Sequence, residues 1–199
     1  MLRLTGFLRL ALAIRYPNAG ENPRVLERFF EKDGTQTVAH ADFFDPEDNA
    51  AVIITYGEIV TEAMTAADKL QARGISCGVI LLETLKPYAA AADRIAALLP
   101  SHGAAVVFLE EGIKNGGAGM LTFEALRLRH PDRMQNKLTA IQAVDDHFAV
   151  QTRNEPIRKT AKISADDVLR TLVHLIPRVN REFVQPVASK PGADREALP

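Results

Sequence analysis

The chain has one cysteine, five histidines, almost no net charge and no apolar run long enough to span a bilayer. Each shortage excludes something. Cys77 alone cannot close an internal disulfide, which suits a reducing compartment. One cysteine among five histidines supplies no zinc-type ligand cluster. A formal net charge of -1 gives no electrostatic case for nucleic acid or a membrane surface. Met1 to Ile14 is apolar, but Arg3 and Arg9 interrupt it, so it does not read as a secretion signal. The expectation is a cytoplasmic protein.

There is enough material for a core. The 199 residues are 47% hydrophobic and 25% charged, the balance of one globular domain with appendages. Pro17, Asn18, Gly20, Asn22 and Pro23 break regular structure after the apolar opening, and Val25 to Asp33 could form a short helix. Asp42 to Asn49 reads as a linker. Then strands and helices alternate. Ala51 to Tyr56 reads as a buried strand, and Glu58 to Arg73 as a helix whose Ile59, Ala63, Ala66, Ala67 and Leu70 share one face. Gly74 sits at its C-terminal cap. Ile75 to Leu82, Ala104 to Leu109 and Leu138 to Val144 read as further strands. Ala89 to Leu99 and about Met120 to Arg129 read as helices, stopped by Pro100 and Pro131. Ser164 to Asp167 has capping-box spacing and opens a helix with Val168, Leu169, Leu172, Val173 and Ile176 inward, closed by Pro177. The tail from Pro186 is rich in proline, alanine and charge and reads as disordered. The alternation implies a mostly parallel sheet with helices on both faces.

Three strings resemble a known family. "AVIITYGEIVTEAMTAADKLQARGISCGVILLETLKP" resembles the opening of the C-terminal domain of the thiamine-diphosphate enzymes related to transketolase. "VVFLEEGIKNGGAG", Val106 to Gly119, resembles that domain's third strand, Glu-Glu-Gly turn and glycine-rich loop. "AIRYP", Ala13 to Pro17, resembles the end of the preceding pyrimidine-binding domain and looks most like the 1-deoxy-D-xylulose-5-phosphate synthases. Those enzymes join pyruvate and glyceraldehyde 3-phosphate on the route to isoprenoid precursors. Transketolase itself and the β chain of a 2-oxoacid dehydrogenase remain alternatives, as does a stand-alone, non-catalytic binding module with the same fold.

The resemblance implies a three-layer α/β/α fold with a mostly parallel five-stranded mixed sheet, its extra antiparallel strand near Thr37 to Phe43. It implies three parts: 1–34 as a remnant of the pyrimidine-binding domain with its linker, 35–178 as the transketolase C-terminal-like domain, and 179–199 as a disordered tail. It also implies a homodimer, and partners in the form of cofactor-binding domains or a separate subunit of the same enzyme. Thiamine diphosphate and magnesium belong to the complete enzyme. The Gly-Asp-Gly motif that holds them in the family does not occur here; Asp33-Gly34 follows Lys32. The chain alone is expected to bind no cofactor and to turn nothing over.

Candidate site residues are few. By resemblance, Arg15 binds the substrate phosphate, and a guanidinium fork suits phosphate oxygens; otherwise it is an exposed charge. Tyr56 and Gly57 lie at the C-terminal end of the first strand, where α/β folds place ligands. Gly112, Gly116, Gly117 and Gly119 could cradle an anion at a helix N-terminus, but read first as a structural turn. Glu110 and Glu111 read as serving a turn or a subunit contact rather than acid–base chemistry. Asp145-Asp146-His147 looks like a metal trio, yet neighbours in sequence diverge and no fourth ligand is evident, so no metal site is expected. Arg153, Arg158, Lys159 and Lys162 read as a solvated loop. Cys77 reads as a small buried hydrophobe.

Overall fold

The computed structural model describes residues 22–30, 39–42, 46–144 and 158–183. Its centre is a five-stranded sheet of β1 (Ala39–Asp42), β2 (Ala51–Thr55), β3 (Cys77–Leu82), β4 (Ala104–Ile113) and β5 (Lys137–Val144), in spatial order β1-β3-β2-β4-β5. β1 runs antiparallel to β3, and the other neighbours are parallel. The expected mixed sheet is therefore present, with its odd strand at one edge. β2 is central: Ile53 stands opposite Val79 on one side and Val107 on the other. Every residue of β2 and β3 is buried, as nearly continuous apolar strands are when helices cover both faces.

Ahead of the sheet, α1 (Pro23–Val25) continues as a π-turn, Leu26–Phe30. The other helices are α2 (Val60–Gln71), α3 (Tyr88–Leu98), α4 (Ala118–Arg129), α5 (Pro131–Met134) and α6 (Ala165–Phe183). On one face α2 and α6 pack over Ile53, Val79 and Val107. Ile59, Ala63, Ala66, Ala67 and Leu70 all turn inward there, as the helical stripe predicts. On the other face α3, α4 and α5 pack over Val52, Ile54, Ile80 and Phe108. Phe123 meets Phe108 edge to face, with ring centres 5.7 Å apart.

Several sequence expectations are corrected. β4 does not stop at Leu109. It continues to Ile113 through an irregular register, and the Lys114 amide donates to Val144 O at 2.9 Å. The Glu-Glu-Gly segment is therefore strand rather than turn. Pro177 does not close the last helix, which runs on to Phe183; proline removes one hydrogen bond but does not forbid a helix. Val173 is 38% exposed rather than inward. Half of the expected capping box forms: the Ser164 amide donates to Asp167 Oδ2 at 3.2 Å, but the Ser164 hydroxyl donates to the same oxygen, and the Asp167 amide donates to the Ser164 carbonyl instead. Pro131 ends α4 as predicted and opens the short α5.

Candidate functional site

The chain leaves β2 towards β3 on one side and leaves β4 towards β5 on the other. The gap between the C-terminal ends of β2 and β4 is therefore the topological switch point, the usual ligand position in open α/β sheets. Tyr56 and Gly57 arrive there from β2, and Glu110 and Glu111 from β4.

The residues at that point satisfy one another. Glu110 is completely buried. Its Oε2 accepts the Tyr56 hydroxyl at 2.7 Å, and its Oε1 accepts the Gly119 amide at 3.1 Å. Gly119 lies in the first turn of α4, where amides lack intrahelical partners and the helix dipole favours a negative charge. The glycine-rich loop and the start of α4 thus close around the chain's own Glu110 side chain. Burial, then the bond to Glu110, pushes the Tyr56 phenol above its ordinary range.

The glycines follow from the same geometry. A Cβ on Gly117 would lie 2.5 Å from Glu110 Oε1 and collide with Ile113 O; one on Gly119 would lie 2.9 Å from Oε1, and one on Gly112 3.0 Å from Oε2. Gly116 has a different reason, a left-handed φ of 78° with open space around it. Gly57 likewise turns the chain out of β2 at φ 73°.

Beside this closed pair lies a cluster that the sequence reading missed. Arg158 is 7% exposed, not part of a solvated loop. Its guanidinium meets Glu111 at 2.8 Å, Glu58 at 3.1 Å and Glu62 at 3.4 Å. Glu62 also accepts the Ala165 amide at 2.7 Å, capping α6. One buried arginine thus ties the β2–α2 turn, α2, the end of β4 and the start of α6 together. Separations of 47 and 96 residues leave no local spacing by which to find it. Glu111 serves this cluster.

The remaining candidates separate cleanly. Arg15 and Asp145-Asp146-His147 lie outside the described residues. Lys159 and Lys162 are exposed. Cys77 is buried as expected, and desolvation pushes its thiol up to about 12, so it is not a nucleophile. Among the described residues no group of three or more His, Cys, Asp or Glu could hold a metal ion. The switch point does not fit thiamine diphosphate either, because the Gly119 amide in the first turn of α4 is already taken by the Glu110 carboxylate, which occupies the place a phosphate oxygen would need.

Comparison with known proteins agrees with this fold. Residues 44–167 match the family model described as transketolase, C-terminal domain. The chain belongs to that family. Among curated relatives, a 1-deoxy-D-xylulose-5-phosphate synthase of Corynebacterium glutamicum is 25% identical over 164 residues, covering 80% of this chain and 24% of that enzyme. A pyruvate dehydrogenase E1 component subunit beta of Staphylococcus aureus is 34% identical over 99 residues, 50% of this chain and 30% of the subunit. Among solved structures, a split-gene transketolase described as an inactive β4 tetramer superposes with a TM-score of 0.52 at 25% identity, covering 67% of this chain and 44% of that one. Transketolase from Leishmania mexicana shares the fold at a TM-score of 0.52 and 18% identity, covering 88% of this chain and 21% of that enzyme. The chain thus spans about a quarter of the synthase it matches. Among the described residues no helix is long and apolar enough to cross a membrane.

Proposed function

We propose that the chain is the C-terminal, assembly part of a thiamine-diphosphate-dependent enzyme of the transketolase type, 1-deoxy-D-xylulose-5-phosphate synthase-like in substrate, and inactive by itself. The observation that carries this reading is the self-occupied switch point. Where an α/β enzyme would bind its ligand, Tyr56, Glu110 and Gly119 bind each other. Such a module contributes surfaces and rigidity, while the cofactor, magnesium and catalytic groups come from cofactor-binding domains or a separate subunit. The synthase match extends over 164 residues at 25% identity, which favours that substrate pair over those of transketolase. Likeness to the β chain of a split-gene transketolase supports work beside a separately encoded half. On this reading residues 1–34 are the remnant of the pyrimidine-binding domain, 35–178 the assembly domain and 179–199 a tail, in a cytoplasmic enzyme.

The test is reconstitution. Purified chain with thiamine diphosphate, magnesium, pyruvate and glyceraldehyde 3-phosphate gives no turnover, and adding a cofactor-binding half restores it. Turnover by the chain alone, or a mixture that neither associates nor reacts, would sink the proposal. In the reconstituted enzyme Arg15→Ala raises the Michaelis constant for the phosphorylated aldehyde; an unchanged constant removes Arg15 from the site.

A further inference from the structure

Between the edge strand β1 and the central strand β2 the chain makes a single turn of 3-10 helix, Pro46–Asp48. That turn is pinned to the loop between α3 and β4 by both ends of Glu47. The Glu47 carboxylate accepts the Ser101 amide at 2.9 Å and the Ser101 hydroxyl at 2.6 Å. The Glu47 carbonyl lies 2.7 Å from Nε2 of His102, 55 residues away. Nδ1 of the same ring lies 2.7 Å from the Gly103 carbonyl. Lys137 Nζ donates to the carbonyl of His102 itself at 2.6 Å, which fixes the loop on β5.

Both ring nitrogens of His102 therefore face carbonyl oxygens, and a carbonyl oxygen only accepts. A neutral imidazole has one N–H and one bare lone pair. It satisfies either carbonyl, but its other nitrogen then meets an oxygen lone pair to lone pair at 2.7 Å, which drives the ring aside. Only the imidazolium, with a proton on each nitrogen, makes both bonds at once. Bonds from a charged donor are also the stronger kind.

We propose that His102 is a proton-operated latch between the Pro46–Asp48 turn and the α3–β4 loop, closed while the ring carries two protons and sprung when it loses one. Among the described residues, Glu47 of the turn favours the charged ring. The Ser101 hydroxyl and amide hold the Glu47 carboxyl below the usual carboxylate range, so it stays ionised where histidine ordinarily titrates, at about 6.5. The nearby cations, Arg133 of α5 and Lys137 of β5, oppose the charged ring, and Lys137 gives up its own proton only at about 8. The latch lies at the end of the sheet away from Tyr56 and Glu110. It governs how the edge strand is joined to the centre, not the closed switch point.

Long-range proton–nitrogen NMR of the ring and hydrogen exchange of the Ser101 amide test this on the full chain, with exchange corrected for the intrinsic effect of pH. At about pH 5.5, below the ordinary histidine value, both ring nitrogens carry protons and the Ser101 amide is protected. At about pH 7.5, above it, one nitrogen has lost its proton and that amide exchanges faster. In His102→Gln, which has no ring to charge, Ser101 exchange is the same at both. The folded chain uses the second proton and the unfolded chain does not, so the latch adds stability in acid and loses it as pH rises. The ratio of folding equilibrium constants, unaltered chain over variant, is therefore roughly threefold larger at the lower pH, as one ordinary hydrogen bond supplies. If the variant misfolds by circular dichroism, the ring and Ser101 signals of the unaltered chain decide. A ring with a single proton at the lower pH, Ser101 protection that ignores pH, or a ratio that does not change overturns the proposal.

Discussion

Gly116 and Gly117 are neighbours with different reasons to be glycine, and substitution separates them. At Gly116 an alanine meets nothing, but it must hold a left-handed φ, at roughly 1–2 kcal/mol. At Gly117 it meets the Ile113 carbonyl and the Glu110 carboxylate, so strand and helix must part at the switch point. Gly117→Ala is expected to cost about 3 kcal/mol, near the upper end for overpacking, and more than Gly116→Ala in urea unfolding. Equal costs would mean that the cradle is loose. Lys137 gives a second test at this scale. Burial, then the charge of Arg133 nearby, pulls its ammonium from the ordinary 10.5 to about 8. Between those values the unfolded chain holds the proton and the folded chain has released it, so stability rises with pH across the window. Lys137→Met removes this rise. Urea midpoints measured below and above the window check it, and an unchanged slope in the variant would reject the assignment.

At the level of elements, Arg158 decides how α6 sits. With the arginine gone, Glu58, Glu62 and Glu111 face one another, and the cap on Ala165 loses its neighbouring cation. Breaking a buried ion pair costs about 3–5 kcal/mol. Glu111 is 44% exposed, and solvent screening at its end lowers the expectation for Arg158→Met to about 2–3 kcal/mol. Faster hydrogen exchange should be confined to α6 and the β2–α2 turn; exchange that rises evenly over the sheet would contradict this. The contrast with the rest of the fold shows what sequence can reveal. The stripe from Ile59 to Leu70, the strands β2 and β3 and the helix start at Ser164 are written in local periodicity and spacing. Position along β2 and β4 also brought Tyr56, Gly57 and the Glu110-Glu111 pair to one end of the sheet. Their partners were not legible. The bonds that give Glu110 and Arg158 their roles join residues brought together only by the strand order, and a buried arginine has the same letter as a solvated one. Glu-Glu-Gly looked like a turn because its continued pairing depends on Val144, a strand away.

For the molecule as a whole, the question is whether the two helix layers stand or fall together. Ile53 and Ile54 are neighbours on β2, each at most 1% exposed, yet they belong to separate clusters. Ile53 faces α2 and α6, while Ile54 faces α3 and α4. Truncating either to alanine removes the same three carbons from a filled space, at roughly 2–5 kcal/mol. Because β2 is hydrogen-bonded to both β3 and β4, neither layer can loosen without disturbing the strand the other rests on. Each variant should therefore unfold in one transition, with tyrosine fluorescence and far-ultraviolet circular dichroism coincident. The side chains point to opposite faces but sit on consecutive residues of one strand, so the double variant should depart from the sum of the two single losses by about 0.5–3 kcal/mol. A second transition in Ile54→Ala alone would show that the layer of α3 and α4 is held from elsewhere. That result would fit a domain whose outer helices are completed by a partner rather than by its own sheet.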